Sequence, residues 1–352
     1  MWVGSPLPRP VHSDMTLPLS VLDLAFVSAG SSPAAALRQT VDIARLVDRA
    51  GYTRLWFAEH HGMPSIASSS PAVLIGHIAS ATERIRVGSG GIMLPNHVPL
   101  QLAESFHTLE ALHPGRIDLG IGRAPGTDPM TSRALHPFPP ELYGDQLREL
   151  VGLSRETLSR EHPFHRVRVV PRGVTLPPIW LLGSSGGSAQ LAGAMGFGYG
   201  FAAHFSQSPA RPAIDIYRSA FQPSEQFPAP HVILALSVIC AESDEQADYL
   251  ASSVDLFWLR FQRGEFGPLP TAAEGAAYPY TPQERAIVAS RRPMHVIGSP
   301  ATVRAAILAR AAEAGADEVM VSTSLPDAAD RARSYELLAD AFALSDAALA
   351  TR

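Results

Sequence analysis

Residues 19–58, LSVLDLAFVSAGSSPAAALRQTVDIARLVDRAGYTRLWFA, carry the reading that decides the fold. Leu19 to Val27 is a short apolar run of strand type. A Gly/Ser break follows, and Pro33 opens a helical pattern that reaches Ala50. Leu37, Val41, Ala44 and Val47 share one face of that helix, and Gly51 stops it. Arg54 to Ala58 is a second short β-rich run.

The same alternation continues along the chain. Strands are expected at Ile85 to Met93, Arg116 to Ile121, Ile179 to Leu182, Gly198 to Ala203, Val232 to Ile239 and Glu318 to Ser322. Helices are expected at Pro71 to Thr82, Leu100 to Leu112, Glu141 to Leu158, Ser188 to Met195, Pro209 to Ala220, Asp244 to Phe261, Thr302 to Ala314 and Asp327 to Ala347. Two stretches rich in Gly and Pro, Arg123 to Pro140 and His162 to Pro178, interrupt the pattern. A third, Arg263 to Arg292, is long enough to act as a lid and reads as a flexible excursion with one short helix. Eight strands, each followed by a helix, point to an α/β fold: a (β/α)8 TIM barrel with insertions, in one domain over residues 19–350. A doubly wound open sheet is the alternative. Against it, no Gly-x-Gly-x-x-Gly follows the first strand, and Gly120-Ile-Gly122 lacks the third glycine. Residues 1–18, with Pro6, Pro8 and Pro10, read as a flexible leader in which Met15 is an alternative start.

Composition excludes several chemistries. The 352 residues are 46% hydrophobic and 17% charged, enough for a sizeable core. The basic residues are all arginine. A Schiff-base lysine and a Gly-Lys-Ser/Thr phosphate loop are therefore both ruled out. The single cysteine, Cys240, permits no intrachain disulfide and no thiolate zinc site, and suits a reducing cytoplasm. A net charge of -5 with no basic tract argues against nucleic acid or an anionic membrane as partner, and no apolar run has membrane-spanning length.

In such a barrel the chemistry sits where the strands end. Gly183 to Ser188 joins a strand to a helix through Gly and Ser. It is either a phosphate cradle on a helix N-terminus or an ordinary turn with an N-cap. Arg123, at the neighbouring strand end, either reaches the same phosphate or makes a surface ion pair. Gly90-Gly91 either lets a flat ligand approach the backbone or forms a β-bulge. Glu59-His60-His61 is the densest ionisable cluster. Adjacent side chains on extended backbone point apart, so the three are expected to divide acid/base work and structural roles. Direct succession spaces them poorly for one metal ion. His204 follows the sixth strand.

Three stretches together resemble the bacterial luciferase-like flavin monooxygenase family (luciferase-like monooxygenase). They are Arg54-Leu-Trp-Phe-Ala-Glu59-His60-His61, Ile85-Arg-Val-Gly-Ser-Gly90-Gly91-Ile-Met-Leu-Pro95 and Gly115-Arg-Ile-Asp-Leu-Gly-Ile-Gly122-Arg123. Val296-Ile-Gly-Ser-Pro300 before a helix is a further shared feature. The likeness runs from about Leu19 to Ser324. It implies a barrel that binds reduced FMN as cosubstrate. Ser184, Ser185 and Ser188 would stand where the family holds the flavin phosphate, and Arg123 would converge on it. Gly90-Gly91 would form a non-proline cis peptide beneath the flavin ring. Glu59 would lie beside the flavin, and His60 would be the catalytic acid/base. The implied reaction is monooxygenation of a small organic substrate by O2 through a C4a-hydroperoxyflavin. A separate NAD(P)H:flavin reductase would supply the reduced flavin, and the chain would form a homodimer. The phosphate loop is richer in glycine than luciferase's and lacks its glutamate, and the cis pair is Gly-Gly; both departures leave an aldehyde substrate in doubt. Other readings are F420-dependent hydride transfer in the same barrel, a non-catalytic flavin-binding protein, and a metal-dependent hydrolase.

Overall fold

The computed structural model describes residues 17–344; residues 1–16 of the expected leader and 345–347 of the last expected helix lie outside the described residues. The strands are β1 (Leu19–Asp23), β2 (Arg54–Phe57), β3 (Arg86–Met93), β4 (Ile117–Gly122), β5 (Ile179–Gly183), β6 (Gly198–Ala202), β7 (Val232–Cys240), β8 (His295–Gly298) and β9 (Glu318–Ser322). Every pairing among them is parallel. β1 pairs with both β2 and β9, and β6 pairs with β7, so the sheet closes on itself. The ring runs β1-β2-β3-β4-β5-β6-β7-β9 and is the expected eight-stranded (β/α)8 TIM barrel.

The helices are α1 (Pro33–Arg49), α2 (Pro71–Ala81), α3 (Pro99–Leu112), α4 (Pro129–Leu135), α5 (Tyr143–Arg155), α6 (Gly186–Ala194), α7 (Ala210–Ala220), α8 (Asp244–Gln262), α9 (Ala272–Ala277), α10 (Pro282–Arg291), α11 (Pro300–Ala314) and α12 (Ala328–Ala341). Two stretches differ from expectation. α4 forms in the Gly/Pro stretch after β4, where the Asp128 carboxylate caps the amides of Met130 and Thr131. The excursion at 263–292, expected to hold one short helix, holds two, α9 and α10, each opened by a reciprocal capping box, Thr271 with Glu274 and Thr281 with Glu284.

The sequence reading also passes over β8. This strand pairs with the second half of β7, Ser237 to Cys240, whereas β6 pairs with the first half, Val232 to Ala235. β8 is therefore a ninth strand on the flank of a closed ring, carrying the α8–α10 insertion back to the barrel.

Alternation along the strands sorts the core into two layers. Leu55 and Phe57 face the helices, and Trp56 between them faces the barrel axis with Leu22, Trp180, Ile233, Ala235 and Met320. Trp56 and Trp180 meet edge to face at 5.5 Å and fill the interior. Glycine makes room for them. A Cβ on Gly198 would lie 2.3 Å from the Trp180 ring, and one on Gly88 2.7 Å from Trp56 Nε1.

The amino-terminal end of the barrel is plugged by charge. Arg54 donates to Glu318 at 2.8 and 3.0 Å and to Asp118 at 2.9 Å. Arg86 also binds Asp118, at 2.6 Å, and Ser20 and His231 complete the shell of Glu318. Burial pushes the Glu318 carboxyl up, but the Arg54 charge and the His231 bond outweigh it and bring it down to about 2. These partners hold the strand starts in register and leave the opposite end for chemistry.

Candidate active site at the carboxyl end of the barrel

Glu59 leaves the end of β2 and is fully buried. His61 Nε2 donates to one of its oxygens at 2.8 Å. His97 Nε2 donates to the other at 2.9 Å, and the Met93 amide adds a bond at 3.0 Å. Burial alone would raise this carboxyl. Bonds and charge from His97, with help from His61 and Met93, hold it below the usual carboxylate range instead. It is an anion that ties the end of β2 to the end of β3.

His60 points elsewhere. Its Nδ1 lies 3.2 Å from the Gly126 carbonyl, which can only accept, so Nδ1 carries the hydrogen and Nε2 keeps its lone pair. Burial holds the imidazole below its ordinary proton affinity, against the pull of Gly126 and Glu59. Gly126 also accepts the His61 amide at 3.1 Å. It sits at φ +67, where a Cβ would be 2.6 Å from the Glu59 carbonyl, so only glycine fits.

The next strands supply the rest of the rim. The Gly90–Gly91 peptide is cis, as the resemblance implies, and the β3–β4 register shifts between Ser89 and Ile92. A Cβ at Gly90 would strike Leu22 at 2.6 Å, and one at Gly91 would strike Leu182 at 2.7 Å. On the side where a Cβ would stand, both glycines are packed against barrel residues. After β5, Ser185 is the N-cap of α6, yet its hydroxyl caps nothing. Ser188 Oγ turns back to the Ser185 carbonyl at 3.0 Å. Among the described residues, the first-turn amides of Gly186, Gly187 and Ser188 have no backbone acceptor outside the helix, as at any uncapped helix start.

Arg123 follows β4. It is exposed and, among the described residues, makes no ion pair; its charge acts on the Tyr143 hydroxyl. Ile121 pairs with Leu181, so Arg123 and Gly183 each stand two residues beyond one rung of the barrel. No bond joins Arg123 to Ser184, Ser185 or Ser188. Register alone makes them neighbours.

Past the end of β1 an aromatic row runs into α8. Phe26, just past β1, meets Phe257 of α8 at 6.2 Å; Phe257 meets Phe261, and Phe261 meets Phe266 at 5.2 Å. Leu269 exchanges backbone bonds with Val27 and Ala29, fixing the insertion to the loop after β1. Among the described residues, no group of three His, Cys, Asp or Glu side chains is arranged to hold a metal ion, and no helix is long and apolar enough to cross a membrane.

The model of one protein family, luciferase-like monooxygenase, matches residues 17–318. The chain belongs to the luciferase-like monooxygenase family. A luciferase-like monooxygenase of Escherichia coli (strain K12) is 40% identical over 328 residues, 93% of this chain and 98% of that protein. The crystal structure of apo-MsnO8 superposes with a TM-score of 0.84 at 39% identity, covering 93% of this chain and 98% of that one. A more distant relative in Acinetobacter baylyi, the oxygenase component of a flavin-dependent trigonelline monooxygenase, is 24% identical over 70% of this chain and 73% of its own length.

For a luciferase-like monooxygenase the sequence reading singled out eight positions. Six of them follow the ends of β2, β4 and β5, and Gly90 and Gly91 lie within β3, level with the residues just past β2. Glu59 and His60 stand together. Gly90 and Gly91 lie on the wall beside them, and Arg123, Ser184, Ser185 and Ser188 cluster around the ends of β4 and β5. Three further participants were not singled out. His97 and Gly126 act through contacts that only the folded register creates. His204, at the end of β6, was legible as a rim residue but carried no role.

Proposed function

We propose that this chain is the oxygenase component of a two-component monooxygenase that uses reduced FMN and O2 on a small organic substrate. The observation that carries the reading is Arg123, which makes no ion pair among the described residues and stands just past β4, next to the strand that leads into the first turn of α6. Backbone amides at a helix start and a guanidinium suit a phosphate dianion. The unengaged hydroxyls of Ser184 and Ser185 add donors, and a Cβ at Gly187 would meet nothing within 4 Å, which leaves the approach open.

The flavin, when bound, would supply the activation of oxygen. The chain's own residues do the rest. Ser184, Ser185, Ser188 and Arg123 hold the phosphate end. The wall formed by Gly90 and Gly91 supports the ring, and Glu59 fixes that wall through Met93 and His97 rather than spending its charge elsewhere. His60, with Nδ1 committed to Gly126, offers Nε2 as the base that takes and returns a proton. Phe26, Phe257 and Phe261 exclude water and favour an apolar or aromatic substrate. A separate NAD(P)H:flavin reductase delivers the reduced cofactor, in keeping with a relative that is named as an oxygenase component. The reaction is assigned to the cytoplasm. Pairing of two copies through α2 and α3, where Val73 and Leu112 are exposed, belongs to the same proposal.

The test is rapid mixing of the protein loaded with reduced FMN against oxygenated buffer. Reoxidation of the bound flavin is expected to lag behind that of free reduced FMN, and His60→Ala to change the lag without loss of binding. Reoxidation at the free rate in the wild type would overturn the oxygenase reading.

A further inference from the structure

The turn that carries Glu59, His60 and His61 is clamped from two sides. On one side stands Ser68, which is fully buried. Its carbonyl accepts the His60 amide at 3.0 Å, and its hydroxyl donates to the Ala58 carbonyl at 2.5 Å. These two bonds fix the backbone of the turn. On the other side lies Pro125-Gly126-Thr127, past the end of β4. The Gly126 carbonyl accepts the His61 amide at 3.1 Å and the His60 Nδ1 hydrogen at 3.2 Å, so both of its lone pairs are engaged. The orientation of that one carbonyl therefore decides which nitrogen of His60 holds its hydrogen.

A peptide that follows glycine turns over easily, because no side chain resists the rotation. The Gly126 oxygen shares its peptide plane with the Thr127 nitrogen, so the plane is held only if the residues on both sides are held. Asn96, at the end of the short turn Leu94–Asn96 after β3, donates Nδ2 to the Pro125 carbonyl at 3.1 Å and holds the near side. Thr127 Oγ1 donates to the His61 carbonyl at 2.6 Å and holds the far side. His61 is thus gripped through both of its backbone groups, its amide by Gly126 and its carbonyl by Thr127. The other acceptor near the Thr127 hydroxyl, an Asp128 carboxylate oxygen, is 3.5 Å away and already takes the Thr131 hydroxyl at 2.5 Å. Distance assigns the Thr127 hydrogen to His61.

We propose that Thr127 is a positioning residue for His60: its hydroxyl, bonded to the His61 carbonyl, keeps the Gly126 carbonyl turned toward the ring, which holds the His60 hydrogen on Nδ1 and leaves the Nε2 lone pair free to take a proton. This role deepens the functional reading above and rests on it, since that lone pair is the base of the proposed reaction. Thr127 acts through the Gly126 peptide, and Asn96 is its counterpart on the other side of the same glycine.

The test is long-range proton–nitrogen NMR of the full chain with ¹⁵N-labelled histidine, in wild type, Thr127→Val and Thr127→Ser. The His60 signals are identified by their loss in His60→Gln. Valine keeps the branched shape and removes the hydroxyl; serine keeps the hydroxyl. Valine is expected to lower the ratio of the Nδ1–H to the Nε2–H tautomer of His60 by about three- to tenfold, as loss of one hydrogen bond does, and serine to stay within about twofold of wild type. A threonine that only packs would move the urea midpoint and leave this ratio in place. An unmoved ratio in the folded valine variant overturns the role. If the valine variant does not fold, Thr127→Ala carries the same expectation. Titration of the same samples with reduced FMN keeps the two ideas apart. A lowered ratio in a protein that does not bind FMN keeps the latch and removes the flavin reading; saturable FMN binding with an unmoved ratio does the reverse.

Discussion

Glu59 and His97 are separated by 38 residues in sequence and by 2.9 Å in the fold. That bond, with those of His61 and Met93, makes one buried carboxylate the joint between the ends of two barrel strands. Glu59→Gln keeps the shape but removes the charge and one acceptor. It is expected to destabilise the protein by about 1.5–3 kcal/mol in urea unfolding. The Glu59 carboxyl is held below its ordinary 4.5, so its contribution is complete above that pH and is lost as the pH falls further. Unaltered stability in the variant would show that the joint is dispensable.

Gly126 bears on His60 directly. Alanine there must leave φ +67 or push against the Glu59 carbonyl, and either movement shifts the acceptor of the His60 Nδ1 hydrogen. We expect Gly126→Ala to raise the fraction of the other His60 tautomer, read from ¹⁵N shifts, and to lower stability by about 1–3 kcal/mol. An unchanged tautomer would detach His60 from Gly126.

The charged plug at the amino-terminal end sets the acid limit of the fold. Arg54→Met removes the guanidinium shared by Glu318 and Asp118, leaving Glu318 to Ser20 and His231 and Asp118 to Arg86, and is expected to cost about 3–5 kcal/mol, with flavin affinity unchanged. In the wild type, Glu318 is held down to about 2 against a usual 4.5, so its contribution is full above 4.5 and fades as the pH falls toward 2. His204 and His295, both held near 4 against 6.5, oppose folding once the pH drops below about 6.5. Stability should therefore decline in two stages on acidification, and Glu318→Gln should flatten the lower one. A single late transition in both proteins would contradict this division.

Interior glycines predict a contrast. Gly198→Ala drives a methyl into the Trp180 ring and is expected to lower stability by about 1–3 kcal/mol, whereas Gly267→Ala, with nothing within 4 Å, should stay within about 0.5 kcal/mol. Equal midpoints in denaturant for the two variants would mean that the barrel interior adjusts freely.

How far the sequence alone reaches is plain from particular elements. The eight barrel strands were legible because each is a short apolar run set between amphipathic helices. β8 was not, being four residues long and placed after a Gly/Pro/Ala-rich stretch. α9 and α10 did have a signal, since Thr271-Ala-Ala-Glu274 and Thr281-Pro-Gln-Glu284 are both capping boxes, but the surrounding Gly and Pro pointed to a flexible excursion with only one short helix. At the site, Glu59, His60 and Arg123 stood out as polar residues closing apolar strands. The grip of His97 on Glu59 and of Gly126 on His60 depends on which strands become neighbours, and local sequence does not carry that.

The most direct measurement is equilibrium binding of reduced FMN against reduced riboflavin, with wild type and Arg123→Gln side by side. If the rim between β4 and β5 holds the phosphate, FMN should saturate the wild type and bind at least about tenfold tighter than riboflavin. Arg123→Gln should then erase most of that margin while leaving riboflavin unaffected. Equal binding of the two flavins, or no saturable binding of either, would contradict the account.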